Sequence, residues 1–218
     1  MKFYELYSHM MQVYLVSKLK PKEILEIGVG NKFVTDILLK DYHVKTLDIN
    51  EESKPDWLID ITSFGDLNLL PNNFFDVILI CEVLEHVPFE KVNKILEILK
   101  KKTKKNIIIS VPNRSKYLQV HSFKYGFSER KRNFYIKIVN WILELFNNFT
   151  KLISKIQYKV INRKLKFTPD KSGEHQWELG IDKYSESLFR NLLKKYFIIV
   201  KEERIIGFPY HHFFILEK

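Results

Sequence analysis

Short, mainly apolar segments alternate along the chain with segments in which apolar residues recur every three or four positions. The apolar segments are predicted strands, at residues 23–27, 44–48, 57–60, 75–80, 106–111, 197–204 and 211–217. The segments with the wider spacing are predicted helices, at residues 1–20, 33–39, 89–102 and 185–196. Strands that are apolar throughout are typical of a parallel sheet buried between two layers of helices. The pattern therefore predicts an α/β fold with a doubly wound, mostly parallel sheet of seven strands.

The alternation stops after Pro112 and resumes near residue 185. We predict that residues 114–180 form a helical, basic insertion between the fifth strand and the following helix of a single domain spanning 1–218. Within it, the stretch 134–161 has polar residues at steps of three and four and an unusually wide apolar face. Such a segment can cover a pocket or make a homodimer contact, lie on an anionic membrane surface, or hold nucleic acid. Of these partners, nucleic acid is the least expected.

The charge of the chain is concentrated in this insertion. The net charge is +10, but residues 114–167 contain 13 Lys and Arg against two Glu, so the remainder is close to neutral. Any attraction to anions is therefore expected from the insertion. Cys81 is the only cysteine, so no internal disulfide can form, which favours a cytoplasmic protein. Neither a signal peptide nor a transmembrane segment is predicted.

A glycine turn follows the first predicted strand. Gly28 and Gly30 allow a ligand to approach the backbone closely, and Asp48 ends the second strand, where a carboxylate can accept hydrogen bonds from ribose hydroxyls. Glu26 precedes the turn and would repel a pyrophosphate, whereas it suits a ligand with an ammonium or sulfonium charge. Phe33 stands where a dinucleotide-binding turn has its third glycine. These residues favour S-adenosylmethionine over a nicotinamide cofactor.

Several strings, in order along the chain, resemble class I S-adenosylmethionine-dependent methyltransferases. They are Glu26-Ile27-Gly28-Val29-Gly30, Asp48, Asp60-Ile61, Phe75-Asp76-Val77-Ile78-Leu79-Ile80-Cys81-Glu82-Val83-Leu84-Glu85-His86-Val87 and Ile109-Ser110-Val111-Pro112-Asn113. The last two are similar to the ubiquinone/menaquinone-biosynthesis-like branch (methyltransferase type 11/23 domain). The resemblance covers residues 21–113 well and 173–217 loosely, and it implies a Rossmann-like fold. One departure is Lys32, where many members have glycine, and we expect it to narrow the turn.

The resemblance implies a set of cofactor-binding residues and a reaction. The cofactor-binding residues are expected to be Glu26, Gly28, Gly30, Asp48, Ile49, Asp60, Ile61, Cys81 and Glu82. The reaction is an in-line displacement at a sulfonium methyl group, in which the protein positions and desolvates the reactants. We expect no metal, since no ligand spacing is evident and the adjacent His211 and His212 should point to opposite faces of a strand.

An oxygen nucleophile benefits from a general base, and histidine titrates in the right range. His86 follows the fourth strand, at the edge where open α/β sheets bind ligands. His175 lies in the polar-aromatic string 173–178 before the last helix. We predict both as catalytic residues and favour His175 on the acceptor side.

The expected function is methyl transfer to an oxygen or nitrogen atom of a small molecule. By resemblance, the acceptor is a sugar, sugar-phosphate or amino-alcohol intermediate of surface polysaccharide biosynthesis. One alternative is a lipid-like quinone precursor methylated at a membrane surface. Another is an RNA methyltransferase, although the sequence has no Asn-Pro-Pro-Tyr-type string. A third is a non-catalytic domain that binds the cofactor.

Overall fold

A computed structural model describes residues 3–115, 175–205 and 208–218, which all belong to one compact unit of the chain. The sheet has seven strands, β1 (Glu23–Ile27), β2 (His43–Asp48), β3 (Trp57–Leu58), β4 (Phe75–Cys81), β5 (Thr103–Pro112), β6 (Ile198–Ile205) and β7 (Phe208–Glu217). Their order is β3-β2-β1-β4-β5-β7-β6, and β7 alone runs in the direction opposite to the other six strands. The predicted α/β, mostly parallel seven-stranded sheet is therefore confirmed.

The described helices are α1 (Phe3–Leu19), α2 (Phe33–Leu38), α3 (Phe64–Leu69), α4 (Phe89–Lys102) and α5 (Glu186–Lys194), with 3₁₀ turns at Glu51–Ser53 and Leu84–His86. Helix α3 was not predicted from the sequence, because its six residues include a glycine and bury only Leu67, so they show no apolar face. The predicted strand 57–60 ends early, at Leu58. Asp60 accepts a hydrogen bond from the backbone N–H of Thr62 (2.7 Å), which turns the chain.

Helices cover both faces of the sheet, as a doubly wound fold requires. Successive strand residues point to opposite faces, so Ile24 belongs to the core cluster under α1 and α2, whereas Leu25 belongs to the cluster under α4 and α5. Each fully buried aliphatic side chain of this kind contributes about 1.5–3 kcal/mol. These two clusters fix the sheet between its helical layers.

The strand order reverses between β1 and β4, which lie side by side although β2 and β3 come between them in the chain. Open α/β sheets bind ligands at the carboxyl ends of their strands at such a reversal. A ligand site is therefore expected at the turns after Ile27 and Cys81.

Both described ends of the predicted insertion lie beside β5. The backbone N–H of Leu179 donates to the carbonyl of Pro112 (3.0 Å), and that of Arg114 donates to the carbonyl of Leu179 (2.8 Å). The stretch 134–161 lies outside the described residues, and so do the predicted lid, dimer, membrane and nucleic-acid contacts. Among the helices that are described, none has the length and apolar character that crossing a membrane requires.

Candidate functional site

The glycine turn after β1 depends on its two glycines for different reasons. Gly28 has φ +82°, and a Cβ there would lie 2.2 Å from a methyl carbon of Val83 in the turn after β4. Gly30 has φ +52°, and a Cβ there would meet nothing within 4 Å. Gly28 thus lets two turns pack together, whereas Gly30 borders open space. Lys32 has φ +62°, so it adopts the left-handed backbone that glycine takes without strain.

Asp48 lies beside this turn, as predicted. One of its oxygens accepts a hydrogen bond from the backbone N–H of Val29 (2.7 Å), and the other accepts one from that of Asn50 (2.8 Å). Each carboxylate oxygen has a further lone pair. The carboxylate is thereby oriented and keeps accepting capacity for a ligand.

Glu26 is buried at the start of the turn. It is 3% exposed, and its Oε2 accepts a hydrogen bond from the hydroxyl of Thr35 (2.7 Å). Burial raises the pKa of Glu26 to about 7, although the Thr35 hydroxyl lowers it; the carboxylates of Asp36 and Asp48 add to the rise. A positively charged ligand group beside this carboxyl group would stabilise its ionised form and lower its pKa.

Two cavities meet at Gly28, on the carboxyl edge of the sheet. One has a volume of about 310 Å³ and the other of about 520 Å³. The smaller is lined by the predicted residues Gly28, Asp48, Ile49, Asp60, Ile61 and His86. The larger is lined by the predicted residues Glu26, Gly28, Gly30, Cys81, Glu82 and His175. All of the sequence-predicted site residues therefore line one or both of two cavities that share Gly28.

Cys81 is a wall residue and not a reactive thiol. It is buried, and burial raises the pKa of its thiol well above the ordinary value, although the hydroxyl of Ser110 hydrogen-bonds to it. The thiol is therefore protonated near neutral pH and is a poor nucleophile.

His86 and His175 are distant in sequence but adjacent in the structure, with ring centroids 5.0 Å apart. Gln176 holds the two segments together, since its backbone N–H donates to the carbonyl of Glu85 and its side-chain amide to that of His86 (both 2.8 Å). Trp177 adds a third bond, from its indole N–H to the carbonyl of Val87 (3.0 Å). The turn after β4 and the segment before α5 are therefore bonded together into one wall of the site.

Glu178 organises the polar side chains of this wall. Its Oε1 accepts hydrogen bonds from Nδ1 of His175 (3.0 Å) and from the hydroxyl of Tyr210 (2.9 Å), and Arg114 pairs with it. Burial alone would raise the pKa of Glu178, but these partners outweigh it and lower the pKa. Because a carboxylate only accepts, Nδ1 of His175 carries a proton and Nε2 is the basic nitrogen.

His211 belongs to the site, which the sequence reasoning missed. Its Nε2 lies 3.2 Å from Oε2 of Glu82, and its Nδ1 lies 2.7 Å from the hydroxyl of Ser8 in α1. His212 bonds instead to Glu202 (3.0 Å) and is buried, so the two histidines do point to opposite faces. His211 reaches the site because β7 is antiparallel and pairs it with Pro112, at the carboxyl end of β5.

Helix α1 also lines the larger cavity. Its contributing side chains are Glu5, Ser8, His9 and Gln12. The sequence predicted the helix, but it carried no signal that assigned these residues to a site, because their position depends on packing against the sheet.

Comparison with known proteins identifies the fold. No protein-family model and no curated protein matches the sequence. Among solved structures, the magnesium protoporphyrin IX methyltransferase ChlM of Synechocystis PCC 6803, with S-adenosylhomocysteine bound, shares 13% identity with a TM-score of 0.55, over 100% of this chain and 88% of that one. The N-methyltransferase NodS of Bradyrhizobium japonicum WM9, also with S-adenosylhomocysteine bound, shares 12% identity with a TM-score of 0.57. The match covers 100% of this chain and 88% of that one.

A third structure with this fold is the 1,6-didemethyltoxoflavin-N1-methyltransferase of Burkholderia thailandensis, which contains both its namesake substrate and S-adenosylhomocysteine. It shares 13% identity with a TM-score of 0.57, over 96% of this chain and 77% of that one. At these identities the likeness defines the architecture alone. This chain therefore has the Rossmann-like fold of S-adenosylmethionine-dependent methyltransferases.

Proposed function

We propose that this chain transfers a methyl group from S-adenosylmethionine to an oxygen or nitrogen atom of a small molecule. The observation that carries the proposal is the pair of cavities that share Gly28 as a lining residue, one bordered by Asp48 and the other by the buried Glu26. A ligand suited to both has ribose hydroxyls toward one end and a cationic amine toward the other. S-adenosylmethionine has both groups, with its reactive methyl between them.

In this proposal the smaller cavity holds the nucleoside. Asp48 accepts hydrogen bonds from the two ribose hydroxyls with the lone pairs that Val29 and Asn50 leave. Ile49 and Ile61 provide apolar surface for the adenine, and Asp60 lies at its edge.

The larger cavity holds the amino-acid end of the cofactor. Glu26 faces its ammonium group, and Gly30 leaves the space that a Cβ would take. Cys81 and Glu82 complete this wall. A pyrophosphate would meet the Glu26 carboxylate here, which disfavours a dinucleotide.

The acceptor binds beside His175 and Tyr210, which also line the larger cavity. The bound cofactor supplies an electrophilic methyl group on a sulfonium. Nε2 of His175 takes the proton of an acceptor hydroxyl, while Glu178 holds the ring and stabilises its charged form. His86 packs against that ring and limits its movement. In this proposal His175 is the general base and His86 positions its ring.

The proposed acceptor is a sugar, sugar-phosphate or amino-alcohol intermediate of surface polysaccharide assembly. Ser8, Gln12, Asn31 and Tyr210 line the larger cavity and can hydrogen-bond to several hydroxyls at once. Membership of the ubiquinone/menaquinone-biosynthesis-like branch is likewise proposed from the sequence resemblance. The alternative acceptors are a quinone precursor and an RNA.

Calorimetry with S-adenosylhomocysteine and with NAD tests the cofactor. We expect the first to bind and the second not to bind, whereas tight NAD binding with no response to S-adenosylhomocysteine would refute the proposal. Asp48→Ala should lose about 1.5–3 kcal/mol of affinity, the value of hydrogen bonds to a charged group. Asp66→Ala is the matched control, since Asp66 bonds to Ser63 outside both cavities. An unchanged affinity in Asp48→Ala would exclude the ribose contact.

Labelled S-adenosylmethionine with a panel of acceptors then tests the reaction. The panel contains amino alcohols, sugars and sugar phosphates, quinone precursors in vesicles, and RNA. Label in the first group supports the proposed acceptor class. Label only in quinone precursors or RNA would replace that class, and binding without label in any acceptor would favour a non-catalytic domain.

A further inference from the structure

A buried carboxyl group beside the site lacks a hydrogen-bond partner within the described part of the chain. Glu85 lies in the 3₁₀ turn after β4 and is fully buried, and neither of its side-chain oxygens has a hydrogen-bond partner among the described residues. An unsatisfied buried carboxyl group is costly. A positively charged ligand at this position would remove that cost.

Two histidines surround this carboxyl group. Potential ligand atoms of Glu85, His86 and His175 all lie within 4.8 Å of one another. Two nitrogen or oxygen ligands of one transition-metal ion, each about 2.1 Å from it, are at most about 4.2 Å apart. A small inward movement of the side chains would therefore complete a three-ligand site.

The surroundings of His175 are those of an oriented metal ligand. Glu178 accepts the Nδ1 proton of His175 (3.0 Å), and a carboxylate on one imidazole nitrogen fixes the ring and makes the other nitrogen a better ligand. Gln176 fastens the backbone of this segment to the carbonyls of Glu85 and His86. The three side chains are thus held together by bonds that do not involve their ligand atoms.

We propose that Glu85, His86 and His175 bind a divalent first-row transition-metal cation. Two imidazoles and one carboxylate suit Mn²⁺, Fe²⁺, Co²⁺ or Zn²⁺ better than Mg²⁺ or Ca²⁺, which prefer oxygen ligands. The sequence expectation of no metal rested on spacing along the chain, and His175 comes far from the other two ligands in the sequence.

The role of the cation in catalysis rests on the proposed function. His86 lines the smaller cavity and His175 the larger one, so the cation lies between them. Coordinated to it, an acceptor hydroxyl loses its proton to water more easily. The oxygen lone pair then forms the bond to the methyl carbon as the carbon–sulfur bond breaks. The electron pair of the broken bond stays on sulfur and neutralises the sulfonium. With a cation bound, His175 serves as a ligand in place of a proton acceptor.

The test is metal binding by the full chain after treatment with a chelator. Electron paramagnetic resonance of free Mn²⁺, the electronic absorption of Co²⁺ and calorimetry with Zn²⁺ each report the number of sites, and Mg²⁺ is titrated for comparison. We expect one site, at least tenfold weaker in Glu85→Gln and in His175→Asn. Loss of the orienting carboxylate in Glu178→Gln should weaken binding about 10–100-fold. His43→Asn is the control, because His43 is exposed and pairs with Glu23 at the opposite edge of the sheet.

Wild-type protein that binds none of these cations at one site overturns the inference, and so does unchanged binding in Glu85→Gln and His175→Asn. The two variants lie in different segments, so each tests the site if the other fails to fold. S-adenosylhomocysteine calorimetry on the same samples separates the two proposals. Normal S-adenosylhomocysteine binding without metal binding refutes this inference alone, and absent S-adenosylhomocysteine binding by the wild type refutes the proposed function.

Discussion

Glu26 makes cofactor binding depend on pH in a way that can be measured. Its pKa is about 7 in the free protein, because burial disfavours the ionised form by more than the Thr35 hydrogen bond stabilises it. The ammonium group of the cofactor stabilises the ionised form and so lowers this pKa. Binding is therefore expected to release a proton at neutral pH, and affinity is expected to rise with pH.

The size of the effect follows from the two pKa values. Going from the ordinary 4.5 to about 7 corresponds to about 3 kcal/mol, at about 1.4 kcal/mol for each pKa unit. A folded pKa above the unfolded one means that the free protein loses this stability as pH rises from 4.5 to 7. Glu26→Gln, which can still accept the Thr35 hydrogen bond, should therefore stabilise the free protein at pH 8 by about 3 kcal/mol and hardly at pH 4.5.

Calorimetry with S-adenosylhomocysteine from pH 6 to pH 8 measures how ligand affinity and proton release depend on pH. Affinity of the wild type should fall about tenfold from pH 8 to pH 6, and about half a proton should be released at pH 7. Titration in buffers of different ionisation enthalpy counts that proton. Glu26→Gln should bind weakly at pH 8 and lose the slope. A flat wild-type profile refutes the reasoning, and a slope that survives in Glu26→Gln assigns the pH dependence to another group.

Three further predictions concern the turn, the base and the insertion. Gly28→Ala should destabilise the protein by at least about 2 kcal/mol in urea unfolding, because its Cβ meets Val83 at 2.2 Å, whereas Gly30→Ala should cost about 1 kcal/mol from its backbone alone; equal costs would contradict this. His175→Ala should lower turnover by about 10²–10⁴-fold with S-adenosylhomocysteine affinity nearly unchanged, and full turnover would exclude it as base or ligand. Deleting residues 134–161 should abolish salt-dependent retention on anionic vesicles or heparin while cofactor binding survives; retention by the truncated protein would assign the attraction to the remainder of the chain.

The sequence by itself determined the strands and the glycine turn. A run of apolar residues such as Val77–Cys81 is buried on both faces wherever it lies, so it identifies a central strand without further context. The backbone freedom of Gly28 and Gly30 is likewise local, and Asp48 follows from its place at a strand end. The short β3 and α3 were predicted poorly or not at all, because few residues give little periodicity.

The tertiary structure alone decided which polar side chains meet. His211 comes to Glu82 because β7 runs antiparallel beside β5, a direction that the apolar pattern of β7 does not encode. His175 reaches His86 through the bonds of Gln176, between segments far apart in the chain. Periodicity reports whether a residue is buried, whereas the neighbours of a buried or half-buried polar group depend on strand order and direction, which are set by packing of the whole chain.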